Sequence, residues 1–279
     1  MAIPNSGGKL SFAVYTFFLY EYVHFLPNEI EDIWLSKWDG RRWIVNCIYV
    51  ICRYTTFFDF SVMIYDMTST SLVNGELCLG LGIARLWVIF VGLECAQFAF
   101  FLRAYALWQD VRVAKLCLIF LTTGLFVAGI TLNVLIMDNA TVPPALPGNS
   151  FIPSCLLTEP NGARLSMWGT LTMLIFDSIL MVMAIGAKIK FRYTSCLNGT
   201  NTLMGKVYHD AIYYFVLNFL ISLTSILIYD ECPGPLKLLT GAFWGVAMRC
   251  LSCRVLLRLK RYNQPSARSV TRWEIRDPI

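Results

Sequence analysis

Five ionisable residues sit inside long apolar stretches of this chain: Glu21, Arg53, Asp59, Glu94 and Asp177. A charge held at the centre of a bilayer costs about 3 kcal/mol or more, so such residues persist where they pair, relay an ion or a proton, or anchor a ligand. Asp59, Glu94 and Asp177 fall at mid-depth or further out. Two uses are open for them: lining a polar cavity, or bonding to Ser, Thr or Asn of a neighbouring helix as glue. Arg103, Asp210 and Arg249 lie nearer the inner ends of their stretches, where they can snorkel to the headgroups. Hydrolytic chemistry has little material here. The chain has two histidines, His24 and His209, no Cys/His spacing for zinc and no Gly-x-Ser-x-Gly elbow. A retinal Schiff base needs a mid-span lysine in the last stretch, and Lys237 stands at its start. No enzyme, cofactor or metal is expected.

The elements that must position these residues are seven apolar stretches, at about 10–26, 43–65, 83–108, 114–137, 166–187, 207–229 and 237–257. An apolar helix needs ~20 residues to cross the hydrocarbon core. Barrel strands are shorter and alternate. Of the 279 residues, 57% are hydrophobic and 15% charged, well below the ~25% charged of a soluble domain. The expected fold is all-α, a seven-transmembrane helical bundle filling 1–257 with a short basic tail at 258–279. Lys and Arg collect on alternate connections: Lys37, Arg41 and Arg42; Arg112 and Lys115; Lys188, Lys190, Arg192 and Lys206; and six in the tail. The opposite connections hold only Lys9, Arg164 and Lys237. The positive-inside rule places the N-terminus outside and the C-terminus in the cytoplasm. The start, MAIPNSGG, lacks the basic region of a cleaved signal, so the first stretch is expected to anchor uncleaved.

That orientation sorts the remaining motifs. Asn139-Ala-Thr141 falls outside and is a glycosylation candidate, whereas Asn198-Gly-Thr200 falls inside. Cys78, Cys155 and Cys232 lie at the oxidising face. A Cys78–Cys155 bridge would pin the longest outer loop, with Cys232 as a competing partner. Cys250 and Cys253, beside a basic run, are open to S-acylation or to a plain packing role. In NEIEDIWLSKW, Ile30, Ile33, Trp34 and Trp38 recur at helical spacing, with Glu29, Asp32 and Asp39 mostly off that face. That pattern predicts an amphipathic helix lying in the headgroup region.

The segment LYEYVHFLPNEIEDIWLSKW, followed by ICRY, resembles the signature of a fungal membrane-protein family, the domain of unknown function 6533 (DUF6533). Tyr20-Glu21 holds its aromatic-acid pair. Glu29 is the downstream acid, and Ile33-Trp34, Lys37-Trp38 and Arg53-Tyr54 complete the pattern. The family usually has Asp where this chain has Glu21. LRAYALW at 102–108 and RVLLRLK at 254–260 resemble the ends of its third and last spans. The resemblance implies a seven-span integral membrane protein and assigns no activity. Because Glu21 and Arg53 share one signature and lie within side-chain reach in depth, an ion pair between them is expected.

Function reads most plainly as a multi-pass, receptor-like signalling protein, similar in outline to a G-protein-coupled receptor. The acid before Arg103, an Asn-Pro-x-x-Tyr in the seventh stretch and a proline in the sixth are all missing. The alternative is a small-solute or ion transporter working through Glu94, Asp59 and Asp177. The expected partners are the lipid bilayer of a plasma or secretory-pathway membrane, an extracellular small ligand and a cytoplasmic signalling partner. The positive charge has a membrane explanation, so no nucleic acid is expected.

Overall fold

A computed structural model describes residues 6–35, 42–68, 75–108, 111–138, 162–198, 202–231 and 234–262. All regular structure among them is helical. Seven α-helices follow in order: α1 (Ser6–Glu29), α2 (Arg42–Thr68), α3 (Gly75–Leu107), α4 (Arg112–Asp138), α5 (Gly162–Asn198), α6 (Thr202–Glu231) and α7 (Gly234–Tyr262). Each contains one apolar stretch or nearly all of it. Prolines punctuate the chain. α6 ends at Glu231, ahead of Pro233, and Pro235 occupies the first turn of α7, where its missing N–H has no partner to lose.

Among the described residues, three helices are long and apolar enough to cross a membrane by length and composition: Gly80–Leu107, Arg112–Asp138 and Met167–Lys190. α6 adds a shorter apolar run, Ile212–Ile228. α1, α2 and α7 carry ionisable residues well inside the helix: Glu21, Arg53, Asp59, Arg249 and Arg254.

The distribution of polarity is inverted relative to a soluble protein. Large apolar side chains such as Phe120, Val113, Leu116 and Val182 point outward, while Glu29, Asp177, Arg53 and Arg249 are buried. Hydroxyls on the apolar helices donate to the carbonyl one turn back, as Thr55 does to Ile51, Thr122 to Leu118 and Ser225 to Ile221. Such bonds satisfy a polar side chain where no water is at hand.

α3 and α7 occupy the centre. α3 packs on α2, α4, α5, α6 and α7, and α7 packs on α1, α2, α3 and α6. One apolar cluster joins Phe100 and Ala104 of α3 to Phe176 and Leu180 of α5, Phe215 of α6 and Val255 of α7. A second joins Ile48, Tyr49 and Cys52 of α2 to Ala96 and Ala99 of α3 and Leu256 of α7. α4 is peripheral and buries only Leu118 and Asn133.

Three sequence expectations change. α5 continues as helix to Asn198, through most of what reads as a basic connection. α7 runs on to Tyr262, into the expected tail. The segment after Glu29 extends α1 directly by a π-helical turn, Ile30–Trp34, closed by Leu35 N donating to Ile30 O at 2.9 Å. Its expected apolar face is split: Ile33 is buried together with Glu29 and Asp32, while Ile30 and Trp34 are exposed. Spacings of three and four residues put Glu29, Asp32 and Ile33 on one side, and carboxylates with partners inside outrank apolar side chains that lipid can solvate.

Candidate functional site

Polar side chains gather in three places: where α1 and its π-helical turn meet α2, and in two clusters deeper in the bundle. At the first, Glu29 is the hub. Its Oε2 lies 2.6 Å from Arg53 Nε, and both side chains are almost wholly buried. Tyr49 Oη donates to the same oxygen at 3.3 Å. Trp34 Nε1 and Tyr54 Oη each donate to Oε1 at 3.2 Å. Arg53 is held further by Nη2 donating to the carbonyl of Tyr22 at 2.9 Å, with its guanidinium 4.5 Å from the Tyr22 ring centroid. A buried pair is tolerable when added hydrogen bonds satisfy the remaining donors and acceptors, and these aromatic hydroxyls and the indole supply them.

The expected Glu21–Arg53 pair is not formed. Arg53 takes Glu29, and Glu21 Oε1 lies 2.6 Å from Arg254 Nε on α7. Residues 21 and 29 are both turned inward on α1, but α7 packs against α1 at the level of Glu21, whereas Tyr49, Arg53 and Tyr54 of α2 surround Glu29. Depth along the helix axis alone could not separate these two neighbours. Lys260 Nζ, donating to Asn46 Oδ1 at 2.9 Å, ties the close of α7 to the start of α2.

Of the signature residues, Glu21, Glu29, Trp34, Arg53 and Tyr54 make these polar contacts. Ile33 packs with Ile48, Tyr49 and Leu256. Tyr20 is exposed and stacks on His24 at 6.0 Å, outside the network. Trp38 lies outside the described residues.

Asp177 of α5 anchors the second cluster. Asn218 Nδ2 and Ser222 Oγ of α6 each donate to it at 2.7 Å, and Gln97 Nε2 of α3 at 3.4 Å. Trp244 Nε1 of α7 donates to Ser222 Oγ at 3.1 Å. Three helices thus meet at one carboxylate that is 1% exposed, and α7 joins them through Ser222. Gln97 Oε1 and Asn218 Oδ1 have no hydrogen-bond partner among the described residues. Asp59 belongs to the third cluster, paired at 2.7 Å with Arg85 of α3. Glu94 faces α4, where its Oε1 would lie 2.8 Å from a Cβ placed on Gly129. The three carboxylates are therefore not gathered around one cavity. Asp177 and Asp59 each join helices, and Glu94 stands apart at the α3–α4 contact.

Arg249 and Arg103, expected to snorkel, are instead buried at 1% and 2% exposure, with Arg103 lying 5.5 Å from the Tyr214 ring centroid. Cys250 and Cys253 are free and packed in helix contacts. Cys155 and Asn139 lie outside the described residues, as does the side chain of Cys78.

Sequence reasoning missed Tyr49, Arg85, Gln97, Asn218, Ser222 and Trp244, and saw Arg254 only as part of a basic run. The i, i+4 spacing of Asn218 and Ser222 was the available signal, since it places two polar groups on one face of an apolar helix.

The sequence model of DUF6533, described as a family of unknown function, matches residues 10–58, bearing out the resemblance seen in the signature. That segment contains Glu29, Arg53 and all the partners of Glu29. No curated protein and no solved structure matches the chain.

Proposed function

We propose that this chain is a seven-span membrane protein, with its N-terminus outside and its C-terminus cytoplasmic, that acts as a receptor-like signalling protein. The observation that carries the reading is the path of α7. This one helix touches the Asp177 cluster through Trp244, holds Arg249 in the bundle centre and grips α1 through Arg254. Near its close, Arg254 and Arg258 line a cleft of about 160 Å³ with Phe25, Tyr214 and Leu257. A ligand that altered the deep polar contacts would bias α7, and with it a basic cleft at the end where the positive connections collect. The Lys and Arg asymmetry supports the orientation, and the outward apolar belt supports immersion in lipid. The proposal includes no catalytic step.

The test is a signalling reporter for each Gα class, challenged with a broad small-molecule panel. Wild type is expected to give ligand-dependent output that Arg254→Gln reduces while surface expression is retained. Silence across all classes, together with solute uptake that Glu94→Gln abolishes, would replace this reading with transport.

A further inference from the structure

Arg249 is the least exposed cation among the described residues. Its Nη1 donates to Thr56 Oγ1 of α2 at 3.4 Å, the far limit of a hydrogen bond, and its Nε has no partner among the described residues. Arg53, Arg85 and Arg254 each hold an ion pair with a carboxylate, and Arg249 holds none among the described residues. A guanidinium does not deprotonate in a protein, and a buried charge without a partner costs several kcal/mol. Asp59 stands three residues after Thr56 on α2, on the same side of that helix. Asp59 is already bound to Arg85. Among the described residues, two guanidiniums therefore lie by one carboxylate, and Arg249 has none of its own. The arrangement is held in place: a Cβ on Gly92 of α3 would lie 3.1 Å from Arg249 Nε and 2.6 Å from Thr55 Oγ1, so the guanidinium fits where that glycine omits a side chain.

We propose that the α2–α3–α7 cluster of Arg85, Asp59, Thr56 and Arg249 is a binding site for one small anion, a halide or a compact carboxylate. Arg85 is its partly exposed member and the side from which an anion arrives. Asp59 stands one helical turn from Thr56 on α2. An anion that pairs with Arg85 releases Asp59 toward Arg249, and one that reaches Arg249 leaves the Asp59–Arg85 pair intact. Either arrangement closes the charge with a single added negative group. The site is distinct from the cleft beside Arg254 and stands whether or not the bundle signals.

The experiment uses the purified full chain in nanodiscs of neutral lipid, at constant ionic strength, with chloride or formate titrated against gluconate. Wild type is expected to gain a saturable rise in Tm of roughly 5 °C. Saturation by chloride alone identifies a halide site, and saturation by formate alone a carboxylate site. Arg249→Gln should lose the response, while Arg112→Gln, on the exposed start of α4, should keep it. Asp59→Asn leaves both guanidiniums without the competing carboxylate and should saturate at several-fold lower anion concentration. A wild-type Tm indifferent to the anion overturns the proposal, as does an unchanged titration in Arg249→Gln. Should Arg249→Gln fail to fold, Asp59→Asn decides, and a wild-type titration there rejects the site.

Discussion

Glu29 takes contacts from four side chains, so its removal strands more than one partner. Breaking a buried ion pair by deleting one member costs about 3–5 kcal/mol, because the other charge is left uncompensated. Glu29→Ala and Arg53→Ala are each expected to lower folded yield and thermal stability sharply, and the double variant should be less damaging than the sum. Thermal unfolding in detergent would give a coupling of about 1–3 kcal/mol for this pair and for Glu21 with Arg254, whereas Glu21 with Arg53 should approach additivity. A strong Glu21–Arg53 coupling would contradict the geometry. Asp177→Ala should cost about 1–3 kcal/mol, since Asn218 and Ser222 lose their acceptor. The same stability measurement on Asn218→Ala would show a smaller loss, because Ser222 and Gln97 still reach the carboxylate. These residue types were legible in the sequence, as ionisable groups in apolar surroundings always stand out. Their partners were not: Arg85 and Gln97 look like ordinary polar residues until α3 is placed between α2 and α5.

At the level of elements, helix existence followed directly from apolar run length. Helix ends did not, because basic and amphipathic segments such as 188–198 prolong a helix past the hydrocarbon boundary without any change in local propensity. The side of the segment after Glu29 that packs inward was not legible either, since Ile33 is buried with Glu29 and Asp32. Apolar periodicity marks the side that water avoids, and in lipid that side need not be the interior. The close approach of α2, α3 and α7 gives a sharp test. Gly92→Ala would push a methyl to 2.6 Å from Thr55 Oγ1, while a Cβ on Gly124 meets nothing within 4 Å. Gly92→Ala is expected to lower stability by about 1–3 kcal/mol through overpacking. Gly124→Ala should be neutral or stabilising by up to ~1 kcal/mol, as alanine favours the helix. Equal Tm values for the two variants would show that the three helices are not packed so tightly.

For the whole molecule, the proposed orientation makes a simple prediction. Expressed in a secretory host, the chain should show a glycosidase-sensitive mobility shift that Asn139→Gln removes and Asn198→Gln leaves. The reverse result would invert the bundle and place the basic cleft beside Arg254 on the outer side.

The central position of α7 has a consequence in time. The ribosome completes this helix after the other six, yet α1, α2, α3 and α6 all pack on it. Until residue 249 and its neighbours emerge, Glu21 has no Arg254, Thr56 no guanidinium and Ser222 no indole beside it. In the proposed seven-span topology, the nascent chain waits in the membrane as a set of inserted but unclosed helices, exposed to the surveillance that removes unassembled membrane segments. Slow decoding or early termination shortly before residue 234 should be felt as degradation of the whole protein, though six of its seven helices have been made.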